Sequence, residues 1–288
     1  MKKLIMVVLC LVFVSASFAE SWNIKSNASL NLTQSYYSDA WSGGDLGSIS
    51  WTLNFNASAE KQLSEMFSSE NTLKLAFGQT HSSYKTVNED GENEVKWESP
   101  VKSTDKIDFE SVLRMTLDSY VDPYISFRAE SQFYDKMGDE TKYFNPLTLT
   151  QSIGASKYFI DKENHSFSTR LGFGLRELIN QHNDGDTPID GGLLSVTDYS
   201  VYMNNGKINY TSKLTLFQAL FNSESDNLDD LDVEWDALDV DFENTLTASV
   251  TDYIDVSLFL QLRYDKEESD DVQFKETLGL GVSYTFAK

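Results

Sequence analysis

The feature that most constrains this chain is a side-chain alternation of period two, carried over segments too long for an ordinary globular sheet. Successive side chains of a strand face opposite sides. From Ser48 onward, Ile49, Trp51, Leu53, Phe55, Ala57 and Ala59 alternate with Ser48, Ser50, Thr52, Asn54, Asn56 and Ser58. The rhythm returns around Ile107–Leu117, Ile125–Phe133, Phe167–Leu175, Val240–Val250 and Ile254–Tyr264. Twelve segments are expected as strands: 22–36, 47–60, 71–81, 106–118, 124–134, 147–159, 166–177, 196–204, 207–221, 237–251, 254–265 and 272–286. The eighth is the weakest, carried by Tyr199, Val201 and Met203. Globular strands average about 5–6 residues, whereas about 9–11 tilted residues cross a bilayer.

The connections point the same way. Short links at Ser119–Pro123, Ile160–His165, Asn205-Gly206 and Asp252-Tyr253 alternate with longer ones at Ser82–Asp105, Asp135–Pro146, Leu178–Ser195 and Asn222–Asp236. Short inner turns alternating with long outer loops characterise barrels of outer membranes. The moderate Lys61–Glu70 link and the short final outer loop, Lys266–Asp271, fit this least well. Pro100, Pro123, Pro146 and Pro188 all fall in expected loops, as residues that cannot donate to a sheet ladder should. Aromatic residues gather near strand ends, among them Tyr36, Tyr120, Phe133, Tyr158 and Tyr253, where rings suit the membrane interface. Gln151, Asn244 and Glu276 sit at outward parity among apolar neighbours and fit the pattern poorly; a bulge or local register change is one device that would turn them inward.

Lys2, Lys3, the apolar run Leu4–Val14 and the small residues Ser17 and Ala19 read as a secretory leader ending at residue 19. The run is too short to span a bilayer as a helix. Residues 20–288 then form a single domain, and no later segment is apolar enough for a spanning helix. The one cysteine, Cys10, lies in the leader, so the mature chain has no thiol or disulfide. With 45 acidic against 23 basic residues the formal charge is −22, and losing Lys2 and Lys3 with the leader takes it to −24. That excludes nucleic acid as a natural partner, because such binding needs a basic footprint. Acids concentrate in Glu89–Glu92, Glu224–Asp236 and Glu267–Asp271, a pattern of solvated loops or of a cation-attracting vestibule. The alternative to a membrane barrel is a soluble all-β protein with one wet face on each sheet.

The last strand reads Leu278-Gly279-Leu280-Gly281-Val282-Ser283-Tyr284-Thr285-Phe286. Gly281, Tyr284 and Phe286 resemble the C-terminal assembly signal of bacterial outer-membrane barrels, with Ala287 and Lys288 as two extra residues. The resemblance implies recognition by the barrel assembly machinery. Over about residues 41 to 135, Trp41-Ser42-Gly43-Gly44, Asn71–Gly78 and Ser103–Asp108 resemble an uncharacterised family of bacterial barrel proteins. That resemblance transfers no functional residue.

No constellation of catalytic or cofactor-binding residues stands out. His81-Ser82-Ser83 has the His-x-Ser spacing of outer-membrane phospholipases but lacks a recognisable third group to orient the histidine. His165 and His182 read as turn and loop residues, and no zinc spacing, phosphate loop or dinucleotide fingerprint is present. Asn183-Asp184-Gly185-Asp186 is a fragment of a calcium loop without its closing Glu. It and Asp226–Asp236 are the places where a weak divalent site is conceivable.

The expected fold is therefore all-β, a transmembrane antiparallel up-and-down barrel in a bacterial outer membrane, with lipid as its surroundings. Its lumen is lined mostly by small polar residues, with charges at Asp108, Glu110, Arg114, Arg128, Glu130, Arg170, Arg176, Lys213, Asp239, Asp241, Glu243, Asp255, Arg263 and Lys275. These charges either line a narrow passive channel for small hydrophilic solutes, cations preferred, or fill the interior as ion pairs. A twelve-strand bore is intermediate in width, so strand number does not decide between the two. Such a channel is not an enzyme; the His81–Ser83 spacing leaves a lipid-modifying enzyme as the remaining class.

Overall fold

The computed structural model describes residues 22–37, 46–87, 93–117, 119–182, 187–230 and 234–287. The expected leader, Trp41–Gly44, Glu89–Glu92, Asp118 and the Asn183–Asp186 fragment lie outside them. In chain order the elements are β1 (Asn23–Ser35), β2 (Ser48–Ser64), β3 (Phe67–Val87), β4 (Asn93–Trp97), β5 (Val101–Met115), β6 (Asp122–Ser131), β7 (Tyr134–Met137) and β8 (Glu140–Tyr143). They continue with β9 (Leu147–Lys162), β10 (His165–Ile179), β11 (Ile189–Met203), β12 (Ile208–Asn222), a short helix α1 (Ser225–Asp230), β13 (Leu238–Ser249), β14 (Ile254–Tyr264) and β15 (Gln273–Ala287).

Twelve of these strands close into one antiparallel barrel. Each pairs with its neighbours in sequence, and the ring shuts where β1 pairs with both β2 and β15. Closure leaves no sheet edge, which is what backbone groups facing hydrocarbon require. The remaining strands are extensions at the long-loop end. β4 folds back on the upper part of β3, and β7 and β8 form a separate two-stranded hairpin.

The alternation explains the wall. Leu30, Leu53, Ile125, Ile153, Leu171, Leu193 and Leu278 are all about half exposed or more, the arrangement of side chains that face lipid rather than a protein core. Serines, glycines and charged residues of the opposite parity point inward. Each of the twelve expected segments is a strand of the barrel.

Several boundaries differ, each for a local reason. The Lys61–Glu70 link is no loop: β2 and β3 stay paired down to Ser64 and Phe67 and turn at Glu65-Met66. That removes one of the two imperfect members from the alternation of short and long links. The Ser82–Asp105 loop shrinks because β3 runs to Val87 and β5 begins at Val101. The Asp135–Pro146 loop contains most of the β7–β8 hairpin, and β11 begins at Ile189, inside the expected Leu178–Ser195 loop. Pro123 lies in β6, as its second residue. The β5–β6 ladder starts one residue later, at Tyr124, so on that side no hydrogen bond is forfeited.

Gln151, Asn244 and Glu276 face outward without any register change beside them. The ladder shifts fall elsewhere, at Ser26/Asn27, Gln62/Ser64, Gly78/Gln79, Phe167/Ser168 and Gly191/Gly192. Two of the three polar groups find partners on the outer wall instead: Gln151 Nε2 donates to Glu177 Oε1 at 3.4 Å, and Tyr210 Oη donates to Asn244 Oδ1 at 2.7 Å.

Candidate functional site

The lumen is the candidate site, and its charges fall into three tiers along the barrel. At mid-height, Glu110 receives Arg170 and Lys213, each at 2.7 Å. Asp108 is held by two bonds from Arg128, at 3.0 and 2.9 Å, and Arg128 also reaches Glu130 at 2.9 Å. Glu243 takes Lys106 at 2.5 Å and Lys74 at 3.2 Å. Arg170 lies 3.6 Å from Asp198. β5, which carries Lys106, Asp108 and Glu110, stands opposite β13, which carries Glu243, in the strand order of the ring. Ion pairs therefore cross the bore as struts.

In this tier five cations, Lys74, Lys106, Arg128, Arg170 and Lys213, meet five carboxylates, Asp108, Glu110, Glu130, Asp198 and Glu243. The layer is neutral, so each buried ion has a counterpart, as burial of charge demands. Asp108, Glu110, Arg170 and Glu243 are buried.

The outer tier is built on Arg176. It forks onto Asp190, where one contact is unusually close, and reaches Asp239 at 2.7 Å. Its guanidinium lies 3.9 Å from the centre of the Phe217 ring, a cation–π contact. Phe217 belongs to an apolar cluster with Leu194, Val196 and Ala219, against which Trp235 packs. This cluster adds a patch of hydrocarbon to an inner wall expected to be mostly polar. Nearby, Asn222 Nδ2 donates to Glu267 Oε1 at 2.7 Å in the β14–β15 loop. Partial burial and the carboxylates of Asp190, Asp265 and Asp239 push Glu267 up to about 7, with Arg176 opposing. Among the described residues, no three His, Cys, Asp or Glu side chains come together as metal ligands.

The inner tier joins Arg114 to Tyr158 and Glu70. Arg114 donates to Tyr158 Oη at 2.8 Å, lies 4.5 Å from the centre of its ring, and approaches Glu70 at 3.5 Å. Below it, at the short-turn mouth, is a cavity of about 550 Å³ whose walls include Glu60, Asp122, Lys157 and Asp161.

The other expected lumen charges are on the inner face but outside the struts. Asp241 accepts from Gln261 at 2.8 Å, Asp255 accepts a close bond from Ser283, and Arg263 pairs with Glu268 at 2.6 Å. Lys275 is exposed and has no ion pair or hydrogen bond among the described residues. The sequence alone does not single out Lys74, Lys106, Glu70 or Tyr158, although all have inward parity along their strands. Asp190 and Leu194 lie hidden in a segment expected as loop.

The two halves of the wall differ. Many inward residues of β5, β6, β9 and β10 are buried, among them Val112, Tyr124, Ser152, Ser156 and Ser168. On β15, β1 and β2, Gln273, Lys275, Thr33 and Asn56 are exposed while pointing inward. Gly281 is buried at the β1–β15 seam, with Asn31 Oδ1 occupying the place a Cβ would take. Tyr284 and Phe286 face outward, their ring centres 4.9 Å apart. Ser83 Oγ donates to Gly47 O at 3.0 Å, so its hydroxyl is engaged with the backbone rather than with His81.

Residues 32–136 match the family model described as "Protein of unknown function (DUF3078)". The chain matches no curated protein. Among solved structures, it resembles the COG4313 outer membrane channel from Pseudomonas putida F1 at 10% identity, covering 92% of this chain and 94% of that one, with a TM-score of 0.41. It resembles the translocator domain of the autotransporter NalP from Neisseria meningitidis at 9% identity, covering 97% and 94%, with a TM-score of 0.36. For Pseudomonas putida OprB the figures are 8% identity, 94% and 95% coverage, and a TM-score of 0.31. These are likenesses of fold, with no assignment of cargo.

Proposed function

We propose that this barrel sits in a bacterial outer membrane and provides a narrow passive route for small hydrophilic solutes, with cations admitted more readily. The observation that carries the reading is the exposure of Thr33, Asn56, Gln273 and Lys275 on the inner face. Inward side chains that touch water mark open bore beside the struts. The route runs along the small polar wall of β15, β1 and β2, with the neutral ion-pair layer narrowing it from the other side. Because the struts are charge-balanced, the selectivity comes from the acidic outer end, where Asp190, Asp239, Asp241, Asp265 and Glu267 outnumber Arg176 and Arg263. The reading gives His81 and Ser83 no catalytic part. It takes Gly281, Tyr284 and Phe286 as the signal that hands the chain to the assembly machinery.

Folded protein in planar bilayers should conduct, and a salt gradient should give a reversal potential of cation-selective sign. Folded protein that never conducts would instead support a second reading, favoured by the transverse pairs of Glu110 and Glu243. In that reading the lumen is permanently barred and the outer hairpins are the working surface.

A further inference from the structure

The inner-mouth cavity has a polarity pattern that the passage alone does not require. Its roof is Arg114, which is 7% exposed. Tyr158 and Glu70 fix this guanidinium by a hydrogen bond, a ring face and an ion pair, which leaves it little freedom to turn. Its Nε is buried and donates to no acceptor among the described residues. A buried donor without an acceptor is costly, so the guanidinium stands incompletely satisfied where it borders the cavity.

The other charges nearby are mostly committed. Asp122 Oδ1 accepts from Leu117 N at 2.8 Å. Lys157 donates to Tyr120 O at 2.7 Å and lies over the Tyr120 ring at 3.7 Å. Glu60 and Asp161 are exposed at the rim, and their side chains have no hydrogen bond or ion pair among the described residues. What remains is the fixed guanidinium at the roof and two unpaired carboxylates at the rim, with Lys61 also in the wall.

We infer that this cavity binds small zwitterions, amino acids or short peptides. The carboxylate meets the Arg114 guanidinium and the ammonium meets Glu60 and Asp161. The volume of about 550 Å³ lies within the roughly 300–1,000 Å³ of small-molecule sites. A dianion is disfavoured, because four carboxylates, Glu60, Glu70, Asp122 and Asp161, line the space against the three cations Lys61, Arg114 and Lys157. The inference gives the proposed passage a solute class, and rests on that reading only for the route by which solute arrives.

The test is calorimetric titration of folded, detergent-solubilised protein with alanyl-alanine, N-acetyl-alanyl-alanine and alanyl-alanine amide. Alanyl-alanine should saturate one site, and each blocked form should bind about ten-fold more weakly, the share of one charge-assisted bond. R114Q should weaken alanyl-alanine by about the same factor. D161N, at an exposed and unpaired position that folding does not depend on, should weaken alanyl-alanine and leave the N-acetyl form unchanged. No saturable binding of alanyl-alanine, blocked forms that bind as tightly as alanyl-alanine, or equal loss for all three ligands in D161N would overturn the site. Conductance is read separately. Binding without conductance removes the passage and keeps the site, whereas conductance without binding does the reverse.

Discussion

The two sides of the bore solve the problem of a barrel interior differently. From β5 to β12 the inner wall is packed: Asp108, Glu110, Tyr124, Ser152, Ser168, Arg170, Leu194 and Phe217 are all buried. From β14 round to β2 it is lined mainly by Asn, Ser, Thr and Gly, and Thr33 and Asn56 stay wet. Eight strands enclose a bore that side chains fill and sixteen leave a channel, and a ring of twelve lies between them. On the packed side, long charged residues reach inward and satisfy one another. On the other side little that is large is present, and water remains. The contrast teaches that charge here acts first as scaffolding, and that the proposed passage follows the wall that carries few charges.

The largest effect that would sharpen this contrast is loss of a strut. Glu110→Ala strands buried Arg170 and the Lys213 ammonium, and should cost about 3–5 kcal/mol by analogy with other buried pairs. Asn56→Ala on the wet side should stay within about 0.5 kcal/mol. Denaturant unfolding in detergent compares the two, and equal costs would break the distinction. Next comes the outer wall. Leu258→Arg puts a charge at outward parity in mid-strand and should cost about 2–4 kcal/mol in a lipid bilayer. Refolding into vesicles measures it, and a negligible cost would mean that this face does not meet hydrocarbon.

Filling the wet side should reduce the current: Asn56→Trp lowers single-channel conductance, whereas Ser152→Trp on the packed side disturbs folding instead. The smaller effects concern charge at the outer mouth. Glu267 is held near 7, above its ordinary 4.5, so the folded state keeps a proton that the unfolded chain gives up. Loop order around Glu267 is therefore greatest below about pH 4.5, weakens as pH rises to about 7 and is level above that. Hydrogen exchange over residues 266–271 should show this trend, and Glu267→Gln should abolish it. Protonation also removes one negative charge from the mouth, so cation preference should fall as pH drops through 7 in the native chain alone. Lys275→Glu should move the reversal potential modestly in the opposite sense, toward stronger cation preference.

How much of this is legible in the sequence follows from what alternation can and cannot encode. The outward face of the long barrel strands is readable, because Leu, Ile and Phe at every second position leave one reading of parity. The outer half of β11 is not. Asp190-Gly191-Gly192 has the composition of a turn, and Leu193 and Leu194 are both apolar, one facing out and the other joining the internal cluster. Alternation vanishes where the lumen itself is hydrophobic. The packing at Gly281 is equally hidden, since nothing in the sequence places Asn31 over it. Among the charges, parity shows which point inward, but partners such as Lys106 and Glu243 are 137 residues apart. Their meeting depends on which strands oppose each other across the ring, a property of closure and not of any local segment.

The most direct test of the divided bore is thiol accessibility in lipid vesicles, in a background lacking Cys10 and with single cysteines at Thr33, Asn56, Ser152, Ser168 and Leu53. A charged, membrane-impermeant thiol reagent should modify Thr33→Cys and Asn56→Cys quickly, Ser152→Cys and Ser168→Cys slowly, and Leu53→Cys scarcely at all while the protein remains folded. Similar rates at the four inward positions, or rapid labelling of Leu53→Cys, would contradict a lumen that is packed on one side, wet on the other and surrounded by lipid.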